Sequence, residues 1–108
     1  EFSMSLVGPM AERNLQNLFC NKLFLGVDSI KPSIGVFTHH MEEAQLNQLM
    51  INIAEEIILV ADSTKFKKSG LAFICSFDKI HKIITDSGIA ESDVLLLQKN
   101  NVEVIIAN

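Results

Sequence analysis

Tryptophan and tyrosine are missing altogether from this chain of 108 residues, and its seven aromatic side chains are all phenylalanine. Such a set supplies core bulk but no stacking platform for nucleobases. Cations are scarce as well: nine Lys and Arg stand against thirteen Asp and Glu, for a net charge of −4. The only basic cluster is Lys65, Lys67 and Lys68. Neutralising a phosphate backbone takes many lysines and arginines, so this segment is not expected to grip nucleic acid by itself. Cys20 and Cys75 are 55 positions apart, without a CxxC pair or a histidine at metal-ligand spacing. Both are expected as reduced core hydrophobes in a cytoplasmic chain. No apolar run approaches the roughly 20 residues of a membrane span, and signal-peptide architecture is absent. With two prolines and five glycines there is no low-complexity segment, nor is there an internal repeat. His39-His40 before Glu42-Glu43 has the composition of a metal cluster. Adjacent histidines in extended chain point opposite ways, however, and no third ligand is suitably spaced. We read them as a solvated loop and helix start, with no metal.

What is present is a core: 48% of the residues are hydrophobic, enough for one ordered domain. Residues 57–66, Ile-Ile-Leu-Val-Ala-Asp-Ser-Thr-Lys-Phe, organise it. An uninterrupted apolar run bounded by polar turn formers reads as a strand buried on both faces, central in a parallel sheet. Ligands bind just past the carboxyl ends of such strands. Here that end carries Asp62, Ser63, Thr64 and Lys65.

Upstream, residues 1–7 alternate polar and apolar, with Phe2, Met4 and Leu6 on one face. A strand that starts at the first residue leads us to expect a piece of a longer protein. Gly8-Pro9 stops it, and Ala11, Leu15, Leu18 and Phe19 predict a helix over 9–20. Residues 23–27 form a second apolar strand ending in Asp28-Ser29, and Pro32 and Gly35 make residues 31–38 a loop. Leu46, Leu49, Met50, Ile53, Ala54 and Ile57 form a stripe that predicts a helix over 41–56. Glu42 and Glu43 lie in its first turn, where carboxylates favour the dipole. Strands follow at 71–77 and 83–86, the latter exiting in Thr85-Asp86. Ser92 is the expected cap of a helix over 93–100, and residues 102–107 form a last strand. Alternating strands and helices imply right-handed crossovers: a Rossmann-like, layered α/β fold with a mostly parallel sheet.

Three strand exits, Asp28-Ser29, Asp62-Ser63-Thr64-Lys65 and Thr85-Asp86, are therefore expected along one edge of the sheet. Hydroxyls and backbone N–H groups there suit phosphate oxygens, a lysine adds a point charge, and carboxylates accept from sugar hydroxyls. The chemistry points to a phosphorylated polyol.

These segments resemble a known family. Gly8-Pro9-x-Ala11-Glu12, Lys22-Leu23-Phe24-Leu25-Gly26-Val27-Asp28, Glu43-Ala44, residues 58–66 and Ile83-Ile84-Thr85-Asp86 are similar, in order and spacing, to the C-terminal effector domain of DeoR-type transcriptional repressors. Within it they look closest to repressors of N-acetylgalactosamine and amino-sugar operons. The resemblance implies a cytoplasmic, homo-oligomeric repressor. Operator DNA would be bound by an N-terminal winged helix-turn-helix outside this chain, and a phosphorylated sugar would relieve repression. It also implies a fold like that of ribose-5-phosphate isomerase. The family's first strand and its Gly/Ser/Thr phosphate loop are expected upstream of residue 1, so residues 1–108 would hold part of the sensor domain. Asp28, Ser29, Thr38, Glu43, Asp62, Lys65 and Asp86 are the expected ligand-binding set, with no catalytic residue and no cofactor. Ser29 departs from the family, which more often has glycine there.

Two other readings stand beside this one. A sugar-phosphate isomerase needs a carboxylate base over the substrate carbon. Asn47 stands where that family keeps its glutamate, and Leu25 where its strand exit has the first aspartate. A pure oligomerisation module would draw on the leucines at 95–97.

Overall fold

The computed structural model describes residues 20–108. The strand expected at 1–7 and the helix expected over 9–20 lie outside that range except for Cys20, which opens a strand instead of closing the helix.

Seven strands and two helices follow in order: β1 (Cys20–Gly26), β2 (Ser29–Lys31), β3 (Gly35–Thr38), α1 (Met41–Ile53), β4 (Ala54–Val60), β5 (Ala72–Cys75), β6 (Lys82–Thr85), α2 (Glu91–Lys99) and β7 (Glu103–Ile106). Single 3-10 turns span Ser63–Lys67 and Phe77–Lys79. The main sheet has the order β1-β4-β6-β7 and every neighbouring pair is parallel. Parallel neighbours need crossovers, and α1 and α2 supply two of them. The organising strand β4 is central, with Ile57, Ile58 and Leu59 all buried, as an apolar run sealed on both faces requires. The architecture is the expected α/β layering of a mostly parallel sheet with helices.

A second, antiparallel sheet, β2-β3-β5, corrects two local expectations. Residues 31–38 are not a loop. Pro32 and Gly35 bound a tight turn between β2 and β3, where Ile30 pairs with Val36. Likewise the strand expected at 71–77 narrows to β5 and pairs antiparallel with β3, outside the parallel sheet. Gly35 is obligatory there. Its φ is +154°, and a Cβ would lie 2.2 Å from the Cys75 carbonyl oxygen, across the β3–β5 bulge.

Helix α1 packs against strands of both sheets and closes the core between them. Its buried positions are Ala44, Leu46, Asn47, Met50 and Ile51. It ends at Ile53, three residues before expected. Ala54 is already extended, and β4 starts with no linker. Helix α2 begins at Glu91 with Ala90 at the N-cap, so Ser92 lies inside the first turn and does not cap it. The phenylalanines are a further correction. Phe77 is buried, but Phe24 and Phe73 are nearly half exposed, and Phe73 stacks edge-on against Phe37. The core is aliphatic: Leu25, Ile30, Leu46, Leu59, Ile74, Ile83 and Leu97 are among its fully buried side chains. Each contributes about 1.5–3 kcal/mol of burial. Cys75 is a buried free thiol, and burial pushes its pKa up to about 11. No helix among the described residues is long and apolar enough to cross a membrane.

Candidate functional site

The register of the parallel sheet assembles the site. Gly26 pairs with Val60, Val60 with Ile84, and Ile84 with Ile105. Two residues beyond the first three of these come Asp28, Asp62 and Asp86, and two beyond the last comes Ala107. The three expected exits therefore share one edge of the sheet. A cavity of about 450 Å³ opens there, lined by Val60, Ala61, Asp62, Lys65, Ile84, Thr85, Asp86 and Ala107. A second, of about 570 Å³, lies beside it over Lys22, Phe24, Leu25, Gly26 and Val60, so Val60 borders both.

Asp62 caps the 3-10 turn that follows β4. Its Oδ1 accepts from the Thr64 backbone N–H at 2.9 Å and from the Thr64 hydroxyl. These two bonds, hydroxyl first, hold its carboxyl below the usual aspartate value, and the Lys65 charge assists. Asp86 ties the neighbouring exit to the same turn. Its Oδ2 accepts from the Ser63 N–H at 2.9 Å, and its Oδ1 from the Gly88 N–H at 2.8 Å. The Ser63 N–H, then the Ser63 hydroxyl, then the Gly88 N–H draw its pKa down. The approach is close: a Cβ on Gly88 would sit 2.5 Å from the Ser63 hydroxyl oxygen. The β4 and β6 exits are thus stapled together, and Lys65 is fixed by a backbone bond from its N–H to the Asp62 carbonyl.

Asp28 belongs to a separate group. Its Oδ2 accepts from the Thr38 hydroxyl at 2.9 Å and from the His39 N–H at 3.0 Å. The Thr38 hydroxyl is also 2.8 Å from Glu43 Oε2, so one proton is shared between two carboxylates. Burial alone raises the Asp28 pKa. The Thr38 and His39 hydrogen bonds, with the charges of His39 and Lys65, outweigh it and leave the carboxyl lowered. The Lys65 charge also favours the ionised forms of Asp28 and Asp62. Among the described residues the one ion pair is Lys82–Glu56 at 3.2 Å, which leaves the Lys65 ammonium without a carboxylate within 4 Å.

The seven expected residues fall into three settings. Asp62, Lys65 and Asp86 line the cavity. Asp28, Thr38 and Glu43 form the adjoining hydroxyl–carboxylate cluster. Ser29 is 0% exposed and its hydroxyl donates to the Lys68 carbonyl, so it anchors the segment after the 3-10 turn to β2 and does not face open space. Thr85 and Ala107 enter from β6 and the end of β7, outside the expected set. The register signal that finds Ala107 is the same two-residue step that finds the aspartates.

The Asp62–Lys65 turn thus presents one ammonium to the cavity, while the Ser63, Thr64 and Lys65 N–H groups are engaged by Asp86 and Asp62, and the charge of that ammonium suits an anionic ligand. The family described as the DeoR C terminal sensor domain matches residues 2–87. A protein of Escherichia coli O157:H7 named as an aga operon transcriptional repressor is 46% identical over 104 residues, covering 96% of this chain and 39% of the relative. The HTH-type transcriptional regulator YulB of Bacillus subtilis is 34% identical over 96% of this chain and 40% of its own length. The transcriptional repressor AccR of Agrobacterium fabrum is 30% identical over 100% of this chain and 42% of its own. These relatives are named as regulators, with no enzyme among them. The chain spans about two fifths of the length of each. With that match over most of its residues, this chain belongs to the DeoR C-terminal sensor domain family.

Proposed function

We propose that this chain is the effector-sensing part of a cytoplasmic, homo-oligomeric DeoR-type repressor. Its operator DNA is held by a helix-turn-helix domain upstream, and a phosphorylated sugar is its inducer. The relative named for an aga operon supports an amino-sugar pathway, of the N-acetylgalactosamine type. Residues 1–108 form the later part of the sensor, and the segment before residue 1 adds the rest of the phosphate site beside β1.

One observation carries the reading: Lys65 stands at the exit of the central strand, lines a cavity with Asp62 and Asp86, and forms no ion pair among the described residues. An ammonium so placed neutralises a sugar phosphate. Removing a charge-assisted hydrogen bond costs about 1.5–3 kcal/mol, roughly ten- to a hundredfold in affinity. In the full-length protein, Lys65→Met is expected to repress normally and to need that much more inducer for operator release. Operator release is measured against concentrations of hexose and hexosamine 6-phosphates. Superimposed wild-type and mutant curves return Lys65 to a solvated turn residue, and loss of repression without inducer makes it structural.

A further inference from the structure

The cavity's polar lining consists of Asp62, Lys65, Thr85 and Asp86. Two of the four already have partners. Asp62 caps its own turn, and Asp86 accepts from Ser63 and Gly88 with both oxygens. Asp62 and Asp86 keep acceptor sites but have no proton to give, which leaves Lys65 and Thr85 as the lining side chains able to donate a hydrogen bond. Thr85 is the unexplained one. Its carbonyl accepts from the Ala107 N–H at 2.7 Å, as the β6–β7 ladder continues. Its hydroxyl, in a residue only 4% exposed, is shielded and has no hydrogen-bond partner among the described residues. A buried polar group in that state carries its whole desolvation penalty, and native structures hold few of them without a reason. Valine has the same branched shape and suits a strand without any penalty, so packing does not account for a hydroxyl here.

We propose that Thr85 is the residue by which this site registers a bound sugar: rotation about its χ1 carries the hydroxyl into the cavity, where it pairs with a hydroxyl of a ligand whose phosphate lies on Lys65. The inference rests on the sugar-phosphate reading above. Staggered rotamers of a threonine in a strand differ by exchanging a hydroxyl for a methyl of nearly the same size, so the backbone stays in place. Position fits the division of labour. Lys65 follows β4, and Thr85 ends β6, the adjacent strand. Neighbouring strands lie about 4.8 Å apart, within the span of a hexose phosphate. The empty state bears an unpaired hydroxyl and the bound state pairs it. The contact adds affinity for the sugar, and it drives operator release to the extent that the DNA-bound conformation lacks it.

The test uses the full-length protein with Thr85→Val and Thr85→Ser, titrated with glucosamine 6-phosphate, N-acetylgalactosamine 6-phosphate and fructose 6-phosphate while operator release is followed. Inorganic phosphate serves as the hydroxyl-free control. Thr85→Val is expected to melt at or above the wild-type temperature without ligand, because it removes an unpaired polar group. Its release curve for the most effective sugar phosphate is expected to move about two- to tenfold to higher concentration, the worth of one neutral hydrogen bond. Thr85→Ser keeps the wild-type curve, and any weak effect of inorganic phosphate is the same in all three proteins. A Thr85→Val protein that melts well below wild type shows that the hydroxyl has a structural partner, and overturns the proposal. Superimposed Thr85→Val and wild-type curves, with Lys65→Met shifted, overturn it while leaving the sugar-phosphate site standing. A wild-type protein indifferent to all three sugar phosphates overturns both.

Discussion

Asp28, Asp62 and Asp86 occupy equivalent steps past three aligned strands, yet each carboxylate is held by donors from its own surroundings. All three titrate below the ordinary value of 3.8, because hydrogen bonds favour the charged form. A group whose folded pKa is depressed adds stability above its unfolded pKa and loses it as pH falls through the folded value. The urea midpoint of the protein is therefore expected to hold from pH 7 to about pH 4 and to fall below it. Asn at all three positions should lower the midpoint at pH 7 and flatten the fall between pH 4 and pH 2.5. Parallel wild-type and mutant profiles would show that other groups set the acid limb. At this scale much of the site was legible, since Asp, Ser, Thr and Lys after apolar runs mark strand exits. Their partners were not. Nothing in the sequence says that Ser29 reaches the Lys68 carbonyl, 39 residues away, or that one Thr38 hydroxyl serves both Asp28 and Glu43.

Elements were legible in proportion to their length. The central strand and α1 declare themselves through a sustained apolar run and a sustained helical stripe. That stripe also runs on in phase through Ala54 and Ile57, and only the demands of the sheet end the helix at Ile53. The hairpin was hidden because β2 and β3 have three and four residues, too few for alternation to register, and Pro32 and Gly35 imitate a loop. Gly35 makes this element testable. A methyl there meets the Cys75 carbonyl, a backbone atom that cannot turn aside, in a conformation L-residues avoid. Gly35→Ala is expected to cost about 1–3 kcal/mol in urea unfolding and to open the β3–β5 pairing. Hydrogen exchange should show faster exchange at β5 while β4 stays protected. An unchanged midpoint would mean that the bulge relaxes at no cost.

For the whole molecule, the remaining question is whether a sheet edge proposed to hold a sugar phosphate would also turn it over. Enediol chemistry requires a carboxylate within hydrogen-bond reach of the proton to be removed. Counted back without gaps from Asp62, the place of an isomerase's glutamate falls near Asn47 in α1, an amide that does not take a proton near neutral pH. It is 1% exposed, and its Oδ1 has no partner among the described residues. The aspartates nearest the cavity do not replace it, because Asp62 and Asp86 accept from Thr64, Ser63 and Gly88, and these bonds disfavour protonation. On the proposed reading, binding without a base makes a sensor, from which the ligand leaves unchanged. Full-length protein is therefore expected to show no interconversion of aldose and ketose phosphates above buffer background in a coupled assay. Restoring one carboxylate as Asn47→Asp is expected to create no activity, since the side chain is sealed from the cavity. Turnover that disappears on changing Asp28 would place an unrecognised base in the Asp28–Thr38–Glu43 cluster, and the shared Thr38 proton would be the first place to look for it.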